Sequence, residues 1–144
     1  MKEVLELSLD EIGSLVKKIS ELLTERNIVL LQGDLGTGKT TLVKAISKQL
    51  GVDEVTDSPS FGLINEYGVG TQKLYHIDLY RLNSIEEFWS IGGSEYIEGD
   101  TPCFIEWSEL IEDFIDKNMA IYVTINHLKE NKRRYTLYIP ENFN

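Results

Sequence analysis

Hydrophobic and polar positions along this chain follow two rhythms, one of period two and one of period near 3.6. Val4 to Leu7 has the makings of a short first strand. Ser8 followed three residues later by Glu11 has the spacing of a capping box, in which a carboxylate returns to free N–H groups at a helix start. Ile12, Leu15, Val16, Ile19, Leu22 and Leu23 then recur at helical intervals and predict an amphipathic helix ending near Thr24. Ile28-Val29-Leu30-Leu31 is almost wholly apolar, as suits a strand covered on both faces in a parallel sheet. Leu42, Val43, Ile46 and Leu50 mark one face of a second helix, and Gly51 stands where a helix C-terminal glycine is expected.

Residues 52–60 read as an irregular loop, with Asp53, Asp57, Ser58 and Pro59. Phe61 to Tyr67 and Lys73 to Asp78 read as strands joined by a turn at Gly68-Val69-Gly70-Thr71. A short helix is predicted around Ser84 to Trp89, a break at Gly92-Gly93, and a buried strand from Thr101 to Glu106. A helix near Leu110 to Asp116 and a closing hairpin of Ala120 to Asn126 with Arg134 to Ile139 complete the pattern. Strands and helices in this order predict an α/β layered fold with a largely parallel centre and some antiparallel pairs.

Composition narrows the class. The chain has 144 residues, 42% of them hydrophobic and 26% charged, which fits a single folded domain over residues 1–144. Cys103 is the sole cysteine, so no intrachain disulfide is available, and its apolar neighbours Pro102, Phe104 and Ile105 suit a small buried hydrophobe. The start Met1-Lys2-Glu3-Val4-Leu5-Glu6 lacks the apolar core of a signal peptide. No run approaches the roughly 18 apolar residues that span a bilayer. The expectation is a cytoplasmic protein with no membrane partner. The formal net charge of −10 disfavours direct binding of nucleic acid by this chain alone. Its only dense basic cluster, Lys129, Lys132, Arg133 and Arg134, fits a solvated hairpin turn.

The chemistry enters at Gly33-Asp34-Leu35-Gly36-Thr37-Gly38-Lys39-Thr40, which matches G-x-x-x-x-G-K-[ST] throughout. An apolar strand precedes it and an amphipathic helix follows, the strand–loop–helix setting of a phosphate-binding loop. Glycines let the backbone curl its N–H groups around a phosphate, and the helix that follows adds its own free N–H groups and positive dipole end. Lys39 offers a cation to β and γ phosphates, and the Thr40 hydroxyl is a ligand for Mg²⁺. Asp34 through Thr41 are therefore the expected nucleotide-binding residues, with ATP and Mg²⁺ as ligands. The fold expectation sharpens to a P-loop NTPase-like three-layer sandwich with a mixed, mainly parallel central sheet.

Such a loop needs a carboxylate on a neighbouring strand to hold Mg²⁺ or its waters. Glu106 ends the apolar run Cys103-Phe104-Ile105, and Asp78 ends Leu74-Tyr75-His76-Ile77. Acids at the carboxyl ends of central strands lie where ligands bind in open α/β sheets. Either carboxylate is a candidate to hold or orient Mg²⁺, and Lys39, Asp78 and Glu106 are the expected catalytic residues. Thr56 to Phe61 occupies the interval where GTPases carry a segment ordered by the γ-phosphate. His76 reads either as a hydrogen-bonded structural histidine or as a base. Arg81 suits a surface ion pair or a cation near phosphates, and Trp89 and Trp107 read as packing residues.

The phosphate loop, Ser58-Pro59-Ser60-Phe61, Glu66-Tyr67, His76-Ile77-Asp78-Leu79-Tyr80-Arg81-Leu82 and Ile105-Glu106-Trp107 follow one another at a spacing that resembles the bacterial TsaE (YjeE) family over roughly residues 5 to 140. The resemblance implies an ATPase required for threonylcarbamoyladenosine modification of tRNA. It would act with the TsaD and TsaB proteins, reset their complex between turnovers, be weak alone, and meet tRNA only through that complex. It also implies that Leu35 to Thr40 line the phosphates, that Thr40 and Glu106 ligate Mg²⁺, that Asp78 belongs to the active centre, and that the 58–61 segment is switch-like. The family often has alanine at the position of Thr37 and threonine at that of Ser60. Its adenine contacts come from the N-terminal segment and the C-terminal hairpin, here around Ser8 to Asp10 and Asn131 to Arg133.

Two alternatives share the loop. A small-molecule kinase needs an acceptor-binding region and an arginine-bearing lid, and between Thr71 and Thr101 the chain offers only Arg81. A nucleotide-gated binding module would differ from the ATPase only in its rate of hydrolysis.

Overall fold

The computed structural model describes residues 1–34, 36–52, 63–69 and 72–141. Its strands are β1 (Lys2–Ser8), β2 (Ile28–Gln32), β3 (Ile64–Val69), β4 (Gln72–Asp78), β5 (Cys103–Glu106), β6 (Ala120–His127) and β7 (Lys132–Tyr138). The helices are α1 (Gly13–Leu22), α2 (Lys39–Gln49), α3 (Ile85–Ser90) and α4 (Ser94–Ile97). All seven strands join one sheet in the order β1-β7-β6-β2-β5-β4-β3. The four inner strands β6, β2, β5 and β4 run parallel, while β1, β7 and β3 are antiparallel to their neighbours. The predicted parallel centre with antiparallel flanks is what the chain forms.

Apolar content decides which strands lie innermost. Ile28, Val29, Leu30 and Leu31 are all 2% exposed or less, so β2 is covered on both faces. Val29, Leu31, Phe104 and Val123 pack under α1 and α2 against Leu15 and Ile46. The alternate side chains Ile28, Leu30, Ile77 and Ile105 turn to the other face and pack against Phe88 and Ile111. This makes three layers. Fully burying each such side chain stabilises the fold by about 1.5–3 kcal/mol.

The predicted helix near Leu110 to Asp116 is replaced by two 3-10 turns, Ser108–Leu110 and Glu112–Phe114. Their backbone bonds run to the third residue back, as from Ile111 to Ser108 and from Phe114 to Ile111. The segment must carry the chain from the end of β5 back to the start of the parallel strand β6. A 3-10 turn rises about 2.0 Å per residue against about 1.5 Å in an α-helix, so it covers that distance with fewer residues. Ile111 and Ile115 still reach the core, at 0% and 8% exposed. The capping box forms as its spacing predicts, with the Ser8 N–H and hydroxyl donating to the Glu11 carboxylate at 3.1 and 2.8 Å. It opens a 3-10 turn, Leu9–Glu11, ahead of α1. The predicted loop at 53–60, the strand start at Phe61, and Gly70-Thr71 lie outside the described residues.

Parallel strands bring their carboxyl ends to one edge. Leu31 and Asp78 both stand beside Glu106 in register, on either side of β5. The chain leaves β2 at that edge and enters the glycine-rich stretch.

Candidate active site

Three glycines shape the loop. Gly36 and Gly38 have φ of +79° and +102°, the left-handed region that side chains resist. A Cβ at Gly33 would lie 2.7 Å from the Ile125 carbonyl oxygen and 2.9 Å from Thr37 Oγ1, so the backbone passes where only glycine fits. Thr37 is buried and folds the loop on itself, donating its N–H and its hydroxyl to the Asp34 carbonyl at 3.2 and 2.8 Å. Gly38 caps α2, whose first turn carries Lys39, Thr40 and Thr41. The 11 residues of α2 give that end free N–H groups and a positive dipole end. Thr40, Thr41, Asp34 and Gly36 are exposed, and Leu35 lies outside the described residues.

Lys39 is 6% exposed, which is rare for a lysine without partners. Its ammonium donates to the Gly33 carbonyl at 2.5 Å, lies 3.4 Å from Glu106 Oε1, and sits 5.4 Å from the centre of the Trp107 ring. Glu106 is 7% exposed. Burial works to raise its pKa, but the hydrogen bond and charge of His76 and the nearby Lys39 ammonium outweigh it and hold the carboxyl below the usual range. His76 Nε2 lies 2.5 Å from Glu106 Oε2. Trp107 adopts φ +57°, a strained conformation for a bulky side chain, and its ring meets that of Tyr80 at 4.9 Å. Asp78 is exposed at the tip of β4 and accepts the Tyr80 N–H at 3.0 Å.

Lys39, Glu106 and Trp107 thus come together, and Asp78 stands on the next strand. A cavity of about 200 Å³ opens among Gly33, Asp34, Lys39, Trp107, Thr124 and Asn126. A larger one, about 640 Å³, lies at the opposite edge of the sheet, where Asn27 precedes β2 and Met119 precedes β6. Chemistry favours the smaller, which combines the glycine loop, a buried ammonium and a helix N-terminus. Four participants go beyond the roles read from the sequence. Thr124 and Asn126 carry no signal beyond their place at the end of β6. Trp107 reads as packing, yet it walls the cavity. Arg133 reads as part of a solvated turn, yet its Nε–H donates to the Thr37 carbonyl at 2.6 Å.

A family model described as "Threonylcarbamoyl adenosine biosynthesis protein TsaE" matches residues 7–135. The chain belongs to the TsaE family. Among curated TsaE proteins, described as tRNA threonylcarbamoyladenosine biosynthesis proteins, that of Aquifex aeolicus is 39% identical over 140 residues, 96% of each chain. That of Treponema pallidum is 37% identical, covering 83% of this chain and 87% of its own. The Bacillus subtilis protein is 32% identical, with 88% and 78% covered. The crystal structure of Bacillus subtilis YdiB superposes with a TM-score of 0.66 at 27% identity, over 97% of this chain and 88% of that one. Membership places the chain in tRNA threonylcarbamoyladenosine biosynthesis. Among the described residues, no helix is long and apolar enough to cross a membrane.

Proposed function

We propose that this TsaE-family chain binds Mg²⁺·ATP at the 33–40 loop and hydrolyses it, acting on the TsaD–TsaB complex to support threonylcarbamoyladenosine modification of tRNA. The observation that carries the reading is the buried Lys39 ammonium, held at the Gly33 carbonyl and beside the Glu106 carboxylate. A cation buried inside a glycine loop, at a helix N-terminus, suits a polyphosphate better than any neutral ligand.

The residues divide the work. Loop N–H groups and Lys39 hold the β and γ phosphates and meet the charge that develops on them. Thr40 supplies a hydroxyl from the first turn of α2, and Glu106 an ionised carboxylate; together they suit a hard cation that prefers oxygen ligands. Bound there, Mg²⁺ would neutralise charge between the phosphates. Asp78, one strand over, would orient water. Trp107 lines the cavity beside Lys39 and would shield the phosphates from solvent. The net charge of −10 keeps tRNA an indirect partner, reached through the protein complex.

Analysis of products tests the reaction class. Incubation with Mg²⁺·ATP and the partner complex should release inorganic phosphate. Transfer of phosphate to a nucleoside or sugar-like acceptor would instead assign the chain as a small-molecule kinase.

A further inference from the structure

The two oxygens of Glu106 face different partners. Oε1 lies 3.4 Å from the Lys39 ammonium, and Oε2 lies 2.5 Å from His76 Nε2. His76 comes from β4, where it stands opposite Phe104, two residues before the position opposite Glu106. Side chains alternate along a strand, so His76, Phe104 and Glu106 share one face of the sheet. It is the face that α2 covers. The imidazole is 5% exposed, and the Tyr67 ring stacks near it at 6.5 Å between centroids.

The other ring nitrogen, Nδ1, is buried and has no hydrogen-bond partner among the described residues. Leaving it so costs stability. A histidine present only for packing could be replaced by an apolar residue without that cost, so the geometry points to the Nε2 contact as the reason for the ring. An ionised carboxylate only accepts, so Nε2 carries the proton in that bond.

We propose that His76 is a positioning residue for Glu106, an inference that rests on the ATPase reading above. The bond ties down Oε2 and leaves Oε1 presented to the loop. Released from His76, the carboxylate could turn both oxygens onto Lys39. The tighter ion pair would draw the ammonium away from phosphate and the carboxylate away from the metal. Partners that orient a ligating group in this way typically change metal affinity or activity by about 10–100-fold when removed.

Two substitutions separate positioning from packing. His76→Leu fills the space without a donor, whereas His76→Gln can set an amide N–H near the place of Nε2. In ATP turnover with the partner complex present, His76→Leu should lower kcat by about 10–100-fold. Its KM for ATP should rise by no more than about threefold, because the loop N–H groups still hold the phosphates. His76→Gln should recover most of the loss. A second readout needs no turnover: Mn²⁺ affinity in the ADP complex should weaken about tenfold in His76→Leu and be largely restored in His76→Gln. Wild-type protein that binds Mn²⁺ with ADP but hydrolyses no ATP would reject the ATPase reading, and the Mn²⁺ titrations would still judge the role of His76. A leucine variant equal to wild type in kcat and Mn²⁺ affinity, whatever its melting temperature, overturns the proposal. So does a glutamine variant as impaired as the leucine one, or a wild-type protein that binds no Mn²⁺ with ADP.

Discussion

Arg133, near the start of β7, donates its Nε–H to the Thr37 carbonyl at 2.6 Å, so the closing hairpin of the chain braces the loop between β2 and α2. A Cβ at Gly38 would lie 3.0 Å from Leu9 Cδ2 and 3.7 Å from Arg133 Nε. The loop is therefore approached from both the turn after β1 and the β7 hairpin, which are far apart in sequence but neighbours in the sheet.

Arg133→Ala should loosen the loop without unfolding the protein. A hydrogen bond from a charged donor contributes about 1.5–3 kcal/mol, and partial exposure of Arg133 lowers that to about 1 kcal/mol, or about fivefold in ATP affinity. Titration calorimetry with Mg²⁺·ATP checks it. Unchanged affinity would mean that the loop keeps its shape unaided.

Lys39→Ala should abolish most of the stabilisation by nucleotide. With ATP near a hundred times its dissociation constant, binding adds about 2.7 kcal/mol to wild-type stability. The substitution removes a charged contact to phosphate worth about 1.5–3 kcal/mol. Melting curves with and without millimolar Mg²⁺·ATP give the answer directly. A full thermal shift in the variant would place the nucleotide elsewhere.

Glu106→Gln should damage hydrolysis more than nucleotide binding, because its expected work is on the metal and the developing charge. It should also change the response to acid. The folded-state pKa of Glu106 lies below its ordinary value of 4.5, burial being outweighed by His76 and Lys39. Its ionised form therefore stabilises the fold fully above that ordinary value, and the contribution disappears as pH falls through the lower folded value. Between about pH 5 and pH 3 the melting temperature of wild type should fall more steeply than that of Glu106→Gln. Parallel acid limbs would deny Glu106 its favourable environment.

Local patterns carried much of this in the sequence. Gly33 to Thr40 announced the loop because glycines, lysine and threonine there have one chemical use in common. Ile28 to Leu31 announced a central strand because only a doubly covered strand is apolar throughout. Glu106 was visible as an acid ending an apolar run. The partners of these groups were less legible because they arrive from distant elements. His76 meets Glu106 across 30 residues and Arg133 meets Thr37 across 96, and both meetings depend on strand order. The helix expected near Leu110 to Asp116 forms 3-10 turns instead: Ile111 and Ile115 keep a helical spacing, while the span to β6 requires the more extended form.

Gly93→Ala should destabilise the fold away from the site. A Cβ at Gly93 would lie 2.4–2.5 Å from atoms of the Phe88 ring, itself fully buried. Overpacking of this kind costs about 1–3 kcal/mol. Denaturant unfolding should show the loss, while ATP affinity per folded molecule remains as in wild type. Wild-type stability would mean that the Phe88 ring shifts freely.

ATP turnover by the purified chain, measured alone and then with a TsaD–TsaB preparation, bears most directly on the proposed function. The chain alone should hydrolyse slowly, and the partner complex should raise the rate at least about tenfold. Lys39→Ala and Glu106→Gln should remain slow under both conditions. Rapid hydrolysis by the isolated chain that the complex leaves unchanged, or turnover that survives in both variants, would contradict the assignment.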